Sequence, residues 1–233
     1  MTASEAGIAA SGSRSASGLR DARFAVRAQE LGRIAGTIHR AGWTPATSSN
    51  FSFRVDAGHC AVTASGGDKS NIDGSDMLIV DLAGRVTDAP NGARPSAETG
   101  LHTALYQRDP AIGAVLHVHS PRSVLASMFL ERDRRVTISH YELLKAFHGV
   151  TTHEGSLTLP VLENSQDIAS LAIAVDAQLD QLDAEGSWAY LIEGHGVYVW
   201  GPELATTARH LEALDYLLGL ELERYRLTGA ARA

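Results

Sequence analysis

Residues 114–120, Ala-Val-Leu-His-Val-His-Ser, put two imidazoles, His117 and His119, two positions apart at the end of an apolar run. That run reads as a buried strand, and side chains at i and i+2 leave a strand on the same face. Both rings can therefore converge on one point. A third ring, His195, stands between Gly194 and Gly196, where glycines free the backbone to turn and let the imidazole project. Three imidazoles with a fourth position open form the donor set of a catalytic zinc-type site rather than a structural one. An isolated His-x-His pair is more often incidental than ligating, and the third ring in its glycine frame shifts that balance. The other histidines (39, 59, 102, 140, 148, 153 and 210) read as surface or structural groups, with His148 and His153 able to line a pocket.

Three small-polar segments could cradle a phosphate: Ser48-Ser49-Asn50, Ser65-Gly66-Gly67 with Lys69, and Ser96 ahead of a helix. Backbone N–H groups in glycine-rich turns and at helix N-termini favour anions, and Lys69 would add positive charge. Ordinary turn chemistry explains each segment singly. Two carboxylates compete for a proton-transfer role. Glu98 falls in the first turn after Ser96, where spacing alone favours N-terminal capping and dipole compensation. Glu142 follows His140-Tyr141 and is either an exposed helix charge or a general acid/base beside a metal.

These residues need a scaffold, and the periodicities supply one. Asp21 caps a helix carrying Phe24, Leu31, Ile34, Ala35 and Ile38 on one face and stopping at Gly42. Residues 51–55 alternate as a strand, with 59–63 as the hairpin partner, and 77–80 make another strand. Helices are expected from Ser96 to about Gln107, from Pro121 to about Leu130, from Ser165 to about Asp183 and from Pro202 to about Leu227. A short helix is expected over 141–147, and strands over 112–119, 136–138, 157–162, 189–192 and 197–200. Strands and helices interleave while several strand pairs are hairpins, which predicts an α/β layered domain with a mixed, largely antiparallel sheet.

The chain has 233 residues, 44% of them hydrophobic, enough for one sizeable core over residues 21–233. Residues 1–20 are small, polar and aperiodic and read as a disordered tail in preference to a transit peptide. A single cysteine, Cys60, rules out an intrachain disulfide and suits a reducing cytoplasm. The net charge of −7 argues against a nucleic-acid partner. No apolar run approaches the roughly 20 residues that span a bilayer, so no membrane partner is expected.

The segments 42–51 (GWTPATSSNF), 95–99 (PSAET), 113–120 (GAVLHVHS), 141–147 (YELLKAF), 149–155 (GVTTHEG) and 194–201 (GHGVYVWG) resemble the class II aldolase/adducin superfamily. The likeness covers residues 23–226, and segments 43–50, 141–147 and 149–155 resemble its dehydratase branch more than its aldolases. The resemblance implies an α/β/α domain and one zinc ion per subunit held by His117, His119 and His195. It implies a sugar-phosphate substrate whose phosphate lies near Asn50, Ser65, Gly66 and Ser96, with Lys69 a further candidate. It points to Glu142 as the acid/base and ranks Glu98, where the aldolases keep their carboxylate, second. It also implies a cytoplasmic homotetramer with sites near subunit boundaries. The rival readings are a sugar-phosphate aldolase or epimerase, and a binding module of the adducin kind.

Overall fold

The computed structural model describes residues 16–182 and 187–229. Its elements run α1 (Ala16–Leu19), α2 (Ala22–Arg40), β1 (Asn50–Arg54), β2 (His59–Thr63), β3 (Met77–Asp81), β4 (Val86–Asp88), α3 (Thr99–Arg108) and β5 (Ala114–Val118). There follow α4 (Pro121–Phe129), β6 (Arg135–Ser139), β7 (Ser156–Leu162), α5 (Ile168–Gln181), β8 (Ala189–Ile192), β9 (Gly196–Gly201) and α6 (Leu204–Thr228). Residues 1–15 of the expected tail lie outside the described residues. Its end is placed: Ala16–Leu19 form a helical turn, Leu19 is buried, and Arg20 donates to the Gly74 and Met77 carbonyls at 2.6 and 2.7 Å.

Nine strands form one sheet in the order β4-β3-β2-β1-β5-β9-β8-β7-β6. Every pairing is antiparallel except β7 with β8, so the sheet is mixed and largely antiparallel, as the hairpin spacing predicts. Strand alternation splits the core into two layers. Phe51, Phe53, Leu116, Val118, Val197 and Val199 face one layer, with side chains of α2, α4 and α6. Val115, Tyr190, Ile192, Tyr198 and Trp200 face the other, with Leu101, Leu105 and Tyr106 of α3 and Leu171, Val175 and Leu179 of α5. The central strands β5, β8 and β9 are buried throughout, which explains why their sequences read as continuous apolar runs.

The predicted Asp21 cap forms, Ser120 caps α4 without having been singled out, and Glu98 takes the N-cap position of α3 in place of the expected Ser96. The Asp21 carboxylate accepts from the Arg23 and Phe24 amides, and the Ser120 hydroxyl from the Ser123 amide one residue beyond His119. The expected helix over 141–147 is instead a 3₁₀ turn, Glu142–Ala146. Among the described residues no helix is long and apolar enough to cross a membrane.

Candidate metal centre

The register of the sheet builds the site. Asn50 of β1 lies opposite His117 of β5, and His117 lies opposite Tyr198 of β9. Tyr190 of β8 continues the row opposite Tyr198. All four side chains point to the α3/α5 face. His117 is fully buried and stacks on Tyr198, ring centres 4.1 Å apart at 15°. His119 emerges just past the strand, its backbone N–H donating to the Trp43 carbonyl at 3.0 Å.

His195 is brought in by the β8–β9 hairpin. Gly194 has φ +63, in the left-handed region that favours glycine, and its N–H donates to the Ser127 hydroxyl at 3.0 Å. Gly196 serves a different end. A Cβ there would stand 2.3 Å from the Val118 carbonyl oxygen and 3.4 Å from Cε1 of His117. The glycine is what lets β9 press against β5 beside the buried ring.

One nitrogen from each of His117, His119 and His195 lies within 4.8 Å of the others. The Nε2 atoms of His117 and His119 face each other at 2.9 Å. Nδ1–H of His117 donates to the Val197 carbonyl at 3.0 Å, which fixes the tautomer and leaves a bare lone pair on Nε2. Ligand nitrogens at about 2.0–2.1 Å from a tetrahedral zinc stand roughly 3.3 Å apart, so the observed cluster fits one such ion. Burial drives the His117 pKa well below its ordinary value, against the opposing pull of the Glu98 charge. Burial, then the neighbouring His195, brings His119 down to about 4. Neutral rings are what ligation requires.

Glu98 is the carboxylate at this centre. It stands at the N-cap of α3 but makes no capping bond, which corrects the expectation drawn from spacing. Instead Oε1 lies 3.1 Å from His195 Nε2, while Oε2 accepts from the Asn50 amide at 2.7 Å and the Tyr198 hydroxyl at 3.1 Å. Burial pushes its pKa up, but the His195 contact, the adjacent His117 ring and the Asn50 bond together hold it well below the usual carboxylate range.

A cleft of about 330 Å³ opens beside these groups. Ser65, Gly66, Ser96 and Asn50 line it, as the phosphate reading expects, and so do Thr47 and Ser48. The Ser48 hydroxyl is buried with no hydrogen-bond partner, a donor suited to an anion in the cleft. Asn50 is largely committed elsewhere, its amide bridging Glu98 and His102. The loop leading to it is strained: Ala46, Thr47 and Ser49 have φ of 51, 59 and 75, costly values for residues with a Cβ.

Two expected site residues stand apart. Lys69 does not line the cleft; its buried ammonium turns back to the Gly67 and Thr47 carbonyls at 2.6 and 3.4 Å, and burial lowers its pKa. A charge there tethers the loop instead of meeting a ligand directly. Glu142 is 71% exposed and also lies outside the cleft lining. It pairs with Lys145 and faces His153 at 3.6 Å, and the Lys145 contact lowers its pKa. The structure thus brings Glu98, and not Glu142, to the three imidazoles within the subunit.

Ser165 and Gln166, ahead of α5, line the cleft without having been singled out. Their signal was a short polar run before a helix start. The cleft also has an apolar side, Leu101, Ile168, Leu171 and Ile192, gathered from three elements.

Residues 29–222 match the family of the class II aldolase and adducin N-terminal domain. The chain is 48% identical over 208 residues to a methylthioribulose-1-phosphate dehydratase of Stenotrophomonas maltophilia (strain R551-3), covering 89% of this chain and 95% of that one. It is 51% identical over 192 residues to the enzyme of the same name from Xanthomonas euvesicatoria pv. vesicatoria (strain 85-10), covering 82% and 86%. In fold it is similar to the crystal structure of L-fuculose-1-phosphate aldolase from Thermus thermophilus, with a TM-score of 0.68, 23% identity, and coverage of 88% and 99%.

Proposed function

The chain belongs to the class II aldolase and adducin family, and from that footing we propose that it is a lyase of methionine salvage. It dehydrates 5-methylthioribulose 1-phosphate to 5-methylthio-2,3-dioxopentyl phosphate. The observation that carries the chemistry is the convergence of His117, His119 and His195 beside the Glu98 carboxylate. Dehydration in preference to carbon–carbon cleavage is supported by about half identity to dehydratases over most of the chain.

A divalent metal on the three imidazoles is what the donor set fits, and we assign it as zinc, one ion per subunit. When bound, it supplies a Lewis acid that acidifies the proton beside the substrate carbonyl. The remaining work falls to the chain. Ser48, Ser65, Gly66 and Ser96 receive the phosphate in the cleft, and Ile168, Leu171 and Ile192 offer the apolar side to the methylthio group. Glu98 is held ionised at the imidazoles and takes the C3 proton. Glu142 donates a proton to the C4 hydroxyl as it leaves as water, and the C3–C4 enol that remains tautomerises to the diketone. That role requires the Glu142–Ala146 turn to meet the substrate, within one subunit or across a subunit boundary, with Glu142 released from Lys145 and protonated.

We further assign the protein to the cytoplasm as a homotetramer. Leu125, Met128 and Phe129 on α4 and Tyr216 and Leu220 on α6 are exposed apolar side chains on two packed helices, which supports assembly. The deciding experiment is turnover of 5-methylthioribulose 1-phosphate by metal-depleted and zinc-restored protein. The diketone should form only with zinc. An aldehyde with dihydroxyacetone phosphate would make the protein an aldolase, and protein purified without chelator that holds no divalent ion would favour a binding module.

A further inference from the structure

Beneath Glu98 lies a buried row of polar side chains that metal ligation and substrate binding leave unused. Glu98, His102 and Tyr106 recur at i, i+4 and i+8 at the start of α3 and along it; Asn50 and Ser52 recur at i and i+2 along β1. Four helical residues advance about 6.0 Å and two strand residues about 6.8 Å. The two rows therefore stay in step and interleave in the order Glu98, Asn50, His102, Ser52, Tyr106. The Asn50 amide nitrogen donates to Glu98 at 2.7 Å, and the Asn50 carbonyl meets His102 Nε2. His102 Nδ1 meets the Ser52 hydroxyl at 2.7 Å, and that hydroxyl meets the Tyr106 hydroxyl at 2.8 Å. Ser52 and His102 are fully buried, Tyr106 and Asn50 nearly so.

The direction of every bond follows from one end. A carboxylate only accepts, so the Asn50 NH₂ must face Glu98 and its carbonyl must face His102. His102 Nε2 then carries the proton, and Nδ1 is bare. Burial lowers the His102 pKa to about 4, against the pull of the Glu98 charge, so near neutral pH the ring has one donor and one acceptor. Ser52 must donate to Nδ1, and Tyr106 must donate to Ser52. Each donor points toward the carboxylate. An amide does not hand a proton onward as a hydroxyl or imidazole does, so Asn50 makes the row a set of fixed dipoles and not a proton path.

We propose that His102 is a positioning residue: backed by Ser52 and Tyr106, it locks the Asn50 amide with its NH₂ toward Glu98 and so holds that carboxylate against His195 at the metal centre. Without the Nε2–H donor, the amide is free to turn its oxygen toward the carboxylate, which repels it and releases Glu98. The effect on rate rests on the dehydratase reading; the bond directions do not.

Two measurements test it. Histidine ¹⁵N shifts of the intact labelled protein should put the His102 proton on Nε2 at neutral pH; an Nδ1–H tautomer would overturn the proposal whatever the protein's activity. Second, H102Q keeps a donor to Asn50 and H102L keeps none. H102L should lose about 10- to 100-fold in kcat, with KM and zinc affinity within about 3-fold of wild type. H102Q should recover most of that loss. With cobalt(II) in place of zinc, the visible absorption bands should shift in H102L and return in H102Q, a readout independent of turnover. Equal losses in both variants, or unshifted cobalt bands in H102L, would overturn the positioning role. An Nε2–H tautomer in wild type and the cobalt shift in H102L, with no dehydration of the substrate by wild type, would instead remove the dehydratase reading alone.

Discussion

Gly196→Ala adds one methyl group and should disable the metal centre without touching a ligand. The new Cβ would stand 2.3 Å from the Val118 carbonyl oxygen, where ordinary contact begins near 3.4 Å. Strands β5 and β9 must therefore part by about 1 Å, and neither yields cheaply, because the obstacle is backbone in mid-sheet with Val118 paired to Val197. Metal sites tolerate ligand displacements of only about 0.2 Å. A shift several times larger falls between His117 on β5 with His119 just past it and His195 on the hairpin, and it also strains the His117 Nδ1 bond to Val197. We expect zinc affinity to fall about 10- to 100-fold and stability by about 1–3 kcal/mol, as for other overpacked interiors. Competition with a chromophoric chelator measures the first and urea unfolding of the metal-free protein the second. Wild-type zinc affinity in G196A would refute the idea that this glycine sets the spacing of the rings.

Three further outcomes follow from the site. His117→Ala should lose metal and turnover together, checked by metal content and diketone formation in one preparation; retained metal with lost turnover would move the ligand role elsewhere. Glu142→Gln and Glu98→Gln should both keep the metal and lose turnover, and near-normal kcat in E142Q would leave Glu98 as the only acid/base of the pair. Stability should fall as pH drops from about 6.5 to 4, because burial depresses His102 and His210 to about 4 and the unfolded chain then binds more protons than the native one. His102 alone contributes about 3 kcal/mol over that window. Urea midpoints from pH 7 to 4 should trace this decline, and H210Q, which keeps an acceptor for the His148 amide, should flatten it; an unchanged slope would count against the buried neutral ring.

The convergence of the three imidazoles was legible in the sequence because its geometry is local. Two rings at i and i+2 of a strand and one ring between two glycines need no knowledge of tertiary structure, and the hairpins around them announced an antiparallel sheet. Glu98 was legible as an acid/base candidate only through the family likeness, and then ranked second to Glu142. Its position at a helix start fits a cap, and only the packing of α3 on β1 turns the side chain to Asn50 and His195. His102 was hidden for the same reason: the period of four on α3 means little until the period of two on β1 is seen to face it. Lys69 misled because a lysine beside Ser-Gly-Gly looks like a phosphate ligand, whereas two backbone carbonyls already occupy its ammonium. Leu101, Ile168, Leu171 and Ile192 share a wall only because α3, α5 and β8 meet there. The sheet order that seats β5 between β1 and β9 had no sequence signal, since neither neighbour is a hairpin partner of β5.

The seam where β9 lies against β5 has a kinetic corollary. Two rings arrive early in the chain and the third only after residues 119–195 have been threaded through α4, β6, β7, α5 and β8. A cation caught by the complete trio closes that long excursion, as a clasp closes a necklace, and slows its reopening. Refolding begun in zinc and refolding begun in chelator should therefore reach the same sheet, but the zinc-bound molecules should leave it more slowly, by a factor that grows with the ratio of free metal to its dissociation constant.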